Sequence, residues 1–255
     1  MPALLQTVSF PSIYKVRGVA VTLPARMAHC SPDMAKALDD LSDKVEAKGG
    51  RVILSDLFRS YDMQFQAHLD FVQKRKTAFS PPPGGSLHEA GRAFDVDLGA
   101  LKMPLKDFWK VAATCGLVPI IAQPTAGADE SWHFECRGSH ALVYDYYKAG
   151  HADNFDKPYK AMAASAILAA GVKVDAFGVG QDEAYVQSGL IRLGQTLGNI
   201  DGGFGKKTRA ALANVGLATS STPAKLVVAI DHLLQDKYPG EFFPATVHTD
   251  AHALT

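Results

Sequence analysis

The chain has 255 residues, of which 47% are hydrophobic and 20% charged, the composition of a folded globular protein rather than a disordered one. That length accommodates one sizeable domain and a smaller one. Lys and Arg total 26, as do Asp and Glu, so the basic excess that binds phosphate backbones is missing and no nucleic-acid partner is expected.

No apolar stretch has the length of a membrane span. The alanine-rich run from Ala161 to Val172 is too short and is bounded by Lys160 and Lys173. Met1 to Arg26 has no basic start, apolar run and small-residue cleavage site, so a Sec-type signal peptide is not expected there. Cys30, Cys115 and Cys136 are irregularly spaced with no CxxC pair, which favours small buried thiols; one disulfide among them stays open.

In chain order, Ser31-Pro32 predicts a helix start, with Ser31 as N-cap. Met34, Leu38, Leu41 and Val45 continue at helical spacing until Gly49-Gly50. Val52 to Leu54 reads as a buried strand. Phe65, Leu69 and Val72 suggest the apolar face of a second helix, followed by a loop at Ser80-Pro81-Pro82-Pro83-Gly84-Gly85. The period then becomes two, with Phe94, Val96 and Leu98 on one side and Ala93, Asp95 and Asp97 on the other.

Pro104 opens a helix carrying Leu105, Phe108, Trp109 and Ala112, which Gly116 closes. Leu117 to Ile121 reads as a strand, Gln123 to Asp129 as a loop, and Ser131 to Cys136 as another strand. A helix through Ala141 to Tyr147 ends an α+β domain of residues 1–150, expected to hold a small antiparallel sheet with flanking helices. Residues 151–180 read as a helical linker, 181–240 as a small all-α domain, and 241–255 as a tail.

Two short segments concentrate the chemistry: Ser86 to Asp95, and Glu130 to His133. His88, Asp95 and His133 form a donor set that suits a catalytic zinc, which takes three protein ligands and keeps a fourth position open. Asp95 and His133 each sit on the polar side of an alternating strand. Gly91 allows a tight backbone between His88 and Asp95. Glu130, three residues before His133, suits a general base, and Arg59 a cation for an oxyanion or a terminal carboxylate. Arg59 could alternatively pair with Asp56 or Asp62, and Ser86 could simply cap a turn. Asp97 and Glu135 read as solvated or salt-bridged carboxylates, and His29, His68, His140 and His151 receive no role.

The Ser-x-His-x-x-Gly-x-Ala-x-Asp pattern at Ser86 to Asp95 and the Glu-x-x-His pattern at Glu130 to His133 resemble the D-Ala-D-Ala metallopeptidase family. That family includes VanX- and VanY-type enzymes and endolysin peptidases, and shares its fold with the hedgehog signalling domain. Phe58-Arg59-Ser60 and Gln64 extend the resemblance. It implies that Zn2+ is held by His88, Asp95 and His133, that Glu130 and Arg59 are catalytic, and that Ser86 and Gln64 contribute to the substrate site. VanY-type members often carry Pro-Trp-His-Trp where this chain has Ser131-Trp132-His133-Phe134, which leaves bond choice open.

Downstream, Leu190 to Gly194 and Ile200 to Leu212, with Asp201-Gly202-Gly203-Phe204-Gly205 and Thr208, resemble a peptidoglycan-binding domain. The Phe-Gln that usually closes its last helix is replaced by Ala213-Asn214-Val215-Gly216. Together the two resemblances imply a zinc peptidase acting on stem-peptide bonds involving D-amino acids, first as D-Ala-D-Ala carboxypeptidase or endopeptidase. L-alanyl-D-glutamate endopeptidase, or a non-catalytic zinc-containing wall-binding module, are the alternatives. Activity in the periplasm or cell wall would require holin release, a dedicated secretion system that brings an immunity protein as partner, or a leader missing from this chain.

Overall fold

The computed structural model describes residues 5–244. Near its start, β1 (Gln6–Thr7) pairs antiparallel with β4 (His29–Cys30). Between them β2 (Pro11–Val16) and β3 (Val19–Thr22) form a hairpin that the hydrophobic pattern did not announce. Arg17 and Gly18 both have positive φ, 52° and 83°, as the tightest hairpin turns require.

Helix α1 (Pro32–Glu46) follows, with Ser31 in the N-cap position. The Ser31 hydroxyl donates to Asp33 at 2.7 Å instead of accepting from a helix amide. Met34, Leu38, Leu41 and Val45 are fully buried, as their spacing predicts. After α1 the chain enters β5 (Leu54–Asp56), two residues later than the expected strand begins.

Helix α2 (Tyr61–Val72) departs from its expected orientation. Phe65 and Val72 are exposed, and the buried residue is Gln64. The helix turns a polar face inward because Gln64 has a full set of hydrogen-bond partners there, whereas apolar spacing alone says nothing about such partners.

β6 (Ala93–Val96), α3 (Leu105–Ala113), β7 (Val118–Pro119), β8 (His133–Glu135) and α4 (Ala141–Lys148) complete this half. The sheet order is β3-β2-β5-β6-β8-β7. It is mixed rather than antiparallel throughout: β2 and β5 run parallel, since α1 carries the chain back between them. The other neighbouring pairs are antiparallel.

The helical part comprises α5 (Pro158–Ala169), α6 (Gln181–Arg192), α7 (Lys206–Asn214) and α8 (Pro223–Lys237). Helix α5, expected within a linker, is buried on every face from Ala161 to Ala169. A helix apolar all round belongs in an interior, and α5 packs on α4, on α6 and on a 3-10 turn at Leu87–Ala90. Leu87, Ala90 and Ala93 therefore share a core with the C-terminal helices, while Phe94 and Phe134 belong to the core between the sheet, α1 and α3.

Gln187 organises the glycine turn after α6. Its side-chain carbonyl accepts from the amides of Asp201 and Gly202, and its amide donates to Asp201 and Gly203.

Glu241, expected to begin a tail, is instead buried. It accepts from the Ser139 amide and hydroxyl and from Arg192, and lies 3.6 Å from Arg92. Such partners draw a carboxylate inside, and the local sequence carries no sign of them because they lie far away in the chain. The rest of the expected tail, 245–255, lies outside the described residues. The cysteines are free thiols. Burial pushes Cys30 up to about 12, which keeps it protonated.

Candidate metal centre and active site

Strand pairing sets the centre of the site. Asp95 on β6 lies directly opposite His133 on β8, so both side chains leave the sheet on the same face. Phe94 and Phe134 form the next pair and stack on the opposite face, at 5.7 Å between ring centres. The third member, His88, comes from the 3-10 turn. Its N-cap Ser86 accepts from the His88 amide at 3.4 Å, while Glu89 accepts from the Ser86 amide at 3.3 Å.

Gly91 ends this turn with φ 60°, and a Cβ there would stand 2.7 Å from the Cys30 Cα. The expected tight backbone is thus required twice over, by conformation and by space.

One donor atom from each of His88, Asp95 and His133 falls within 4.8 Å of the others, and all three residues are buried. Asp95 Oδ1 is 2.9 Å from His133 Nδ1 and 3.4 Å from His88 Nε2. The Nδ1 of His88 is 2.8 Å from the Leu57 carbonyl. A carbonyl only accepts, so Nδ1 carries a proton, and the neutral form of the ring presents its Nε2 lone pair to the site. That Nε2 is buried without a hydrogen-bond partner. Unpaired buried donors and acceptors are rare, and a lone pair converging with a carboxylate and a second imidazole suits a divalent cation of the zinc type.

The electrostatics favour positive charge at this point. Burial works against ionised Asp95, but His88 and His133 hold its carboxyl well below the usual range. Burial also opposes a charged His133, yet Asp95 and Glu135 push it up to about 10. His133 Nε2 faces Glu135 at 3.6 Å, and Glu135 in turn accepts from Arg137 Nε at 2.7 Å. Burial and Glu135 push the phenol of Tyr159, on α5, well above its usual value, so it stays protonated beside that carboxylate.

Glu130 lies at the rim, with its carboxylate 4.0 Å from His133 Nδ1. Burial raises its pKa above the ordinary carboxylate value. Its φ of 64° is uncommon for a residue other than glycine and costs about 1–3 kcal/mol, which the surrounding turn sustains.

Arg59 stands on the other side of Asp95, with Nη2 at 3.7 Å from Asp95 Oδ2. Its Nε and Nη2 both engage Asp56 Oδ2, at 2.6 and 2.5 Å, and Nη1 donates to Gln64 at 3.2 Å. The remaining Gln64 bonds run to Ser80 and the Pro81 carbonyl. Ser86 is buried and serves its turn.

The sequence-predicted residues therefore divide. His88, Asp95, His133, Glu130 and Arg59 come together, while Gln64 supports Arg59 from behind and Ser86 supports His88. Arg59 pairs with Asp56 and Glu135 with Arg137, both pairings that the sequence allowed, but Glu135 also faces His133. Glu135 had a signal, because it lies two residues from His133 on a strand and so on the same face. The Leu57 carbonyl, a backbone group, had none.

No protein-family model and no curated protein sequence matches the chain. Among solved structures, the LdcB LD-carboxypeptidase, described with the basis of its peptidoglycan recognition, is similar over 52% of this chain and 68% of its own, with 18% identity and TM-score 0.40. DacB from Streptococcus pneumoniae D39 is similar over 58% and 91%, with 21% identity and TM-score 0.35.

Proposed function

We propose that the chain is a zinc-dependent peptidase that hydrolyses peptidoglycan stem-peptide bonds involving D-amino acids, as a D-Ala-D-Ala carboxypeptidase or endopeptidase. The convergence of His88 Nε2, Asp95 Oδ1 and His133 Nδ1 beside Glu130 carries this reading. Zinc bound to these three atoms would supply Lewis acidity to a water and a scissile carbonyl.

This chain's own residues do the rest. Glu130, its basicity raised by burial, takes a proton from the attacking water and delivers it to the leaving amine. Water thereby adds across the amide bond, with oxygen on carbon and hydrogen on nitrogen. Leu57 keeps His88 in the required tautomer, and Glu135 faces the far nitrogen of His133 with its charge. The substrate class rests on the motifs at Ser86–Asp95 and Glu130–His133 and on the glycine turn at 201–205. Residues 1–150, with α5 packed beneath the His88 turn, would form the catalytic unit and 181–240 a wall-binding one, acting in the periplasm or cell wall after export.

The test is incubation of zinc-loaded protein with intact peptidoglycan and defined muropeptides, followed by mass spectrometry, with Glu130→Ala in parallel. Released D-Ala or split crosslinks, absent with the variant, support the proposal. Cleavage between L-Ala and D-Glu would reassign the bond. Intact substrates throughout would sink the hydrolase reading.

A further inference from the structure

We infer that Asp56 is a specificity-determining residue that turns the cleft away from free C-terminal carboxylates and towards internal peptide bonds. The inference rests on the peptidase reading above and narrows its substrate class.

A guanidinium recognises a carboxylate best through two parallel N–H groups, either along its Nε/Nη2 edge or across its Nη1/Nη2 end. In Arg59 the Nε/Nη2 edge is already closed on Asp56 Oδ2. That edge is closed, and the Nη1/Nη2 end is shared with the Gln64 oxygen and the nearby Asp95 charge. Asp56 and Arg59 side chains are each only 14% exposed, so the pair is shielded from water and does not exchange partners easily.

Charge points the same way. A substrate carboxylate approaching Arg59 would meet the carboxylate of Asp56, which already neutralises that guanidinium. An internal peptide bond, or an amide-capped end, brings no charge and meets no such repulsion.

The backbone holds Asp56 in place. It ends β5 in register with Asp95, and its Oδ1 accepts from the Leu57 amide at 2.9 Å. Asp56 thus acts on substrate through Arg59, as a positioning residue.

The test uses the full-length zinc-loaded chain with Nα-acetyl-L-Lys-D-Ala-D-Ala and its C-terminal amide. Binding is measured by calorimetry in a Glu130→Ala background, and hydrolysis in the wild type by mass spectrometry. The wild type should bind the amide at least as tightly as the free carboxylate. Asp56→Asn should shift the ratio of the two affinities roughly tenfold towards the free carboxylate, and Asp56→Glu should keep the wild-type ratio. A general loss of packing would weaken both peptides together and leave the ratio unmoved. Wild-type protein that binds the carboxylate better than the amide overturns the inference, as does an unchanged ratio in folded Asp56→Asn or binding of neither peptide. Equal binding with no hydrolysis sinks the peptidase reading alone and supports the role of Asp56.

Discussion

Glu135 Oε1 faces His133 Nε2 across 3.6 Å, with both side chains buried. A carboxylate at that nitrogen favours a proton there, which leaves Nδ1 for a metal once the proton that Nδ1 donates to Asp95 at 2.9 Å in the metal-free chain is lost. Replacing Glu135 with Gln should weaken zinc binding by about 10- to 100-fold. Competition with a chromophoric chelator measures this directly, and unchanged affinity would remove Glu135 from the metal centre.

His133 also predicts how metal binding depends on pH. Without metal its ring holds a proton up to about 10, because Asp95 and Glu135 outweigh burial. Zinc must displace that proton, so affinity should rise with pH, by roughly tenfold per unit below that value for this group. Calorimetry in buffers of different ionisation enthalpy should count about one proton released from this ring.

Glu130→Gln should retain zinc and lose about 10²- to 10⁴-fold in kcat, the usual contribution of a positioned general base. Metal analysis beside steady-state kinetics separates the two. Loss of zinc along with activity would make Glu130 a ligand rather than a base.

Glu89 is a further carboxylate near the site, with a structural task. Burial pushes it up to about 7, against hydrogen bonds from the amides of Gly84 and Ser86. The folded protein therefore binds this proton more tightly than the unfolded chain, whose carboxyl titrates near 4.5. Stability from this group is full below 4.5 and declines as pH rises through about 7, by at most about 3 kcal/mol. Urea denaturation from pH 4 to 8 should show the decline, and Glu89→Gln should flatten it.

Glu241 fastens the last described segment to the interior through Ser139 and Arg192. Removing it leaves a nearly inaccessible guanidinium uncompensated, so Glu241→Ala should cost about 3–5 kcal/mol in denaturant unfolding. A loss under 1 kcal/mol would show that Arg192 finds another partner.

The cluster of His88, Asp95 and His133 was legible in the sequence because each residue lies in a short pattern with a local physical meaning. Asp95 and His133 alternate with buried aromatics, and Gly91 marks the turn that His88 occupies. Helix α1 was legible for the same reason, since its spacing and its ends are local. What stayed hidden depends on distant partners. Gln64 turns α2 polar side inward to meet Arg59 and Pro81, and Glu241 finds Arg192 and Ser139 across the fold. The β2–β3 hairpin escaped because Ile13, Val16 and Val19 are exposed, so its strands lack a clean apolar alternation. Helix α5 had no amphipathic stripe to orient, and only packing on both sides reveals it as interior.

That interior position bears on how such a protein can be recombined. Leu87 and Ala90, which flank His88 in the turn, rest on helices that follow residue 150. The front half is therefore no interchangeable cartridge: grafted to another module at Gly150, it would lose the floor beneath His88. A working chimera has to cross over beyond Ala169, taking α5 with the front half.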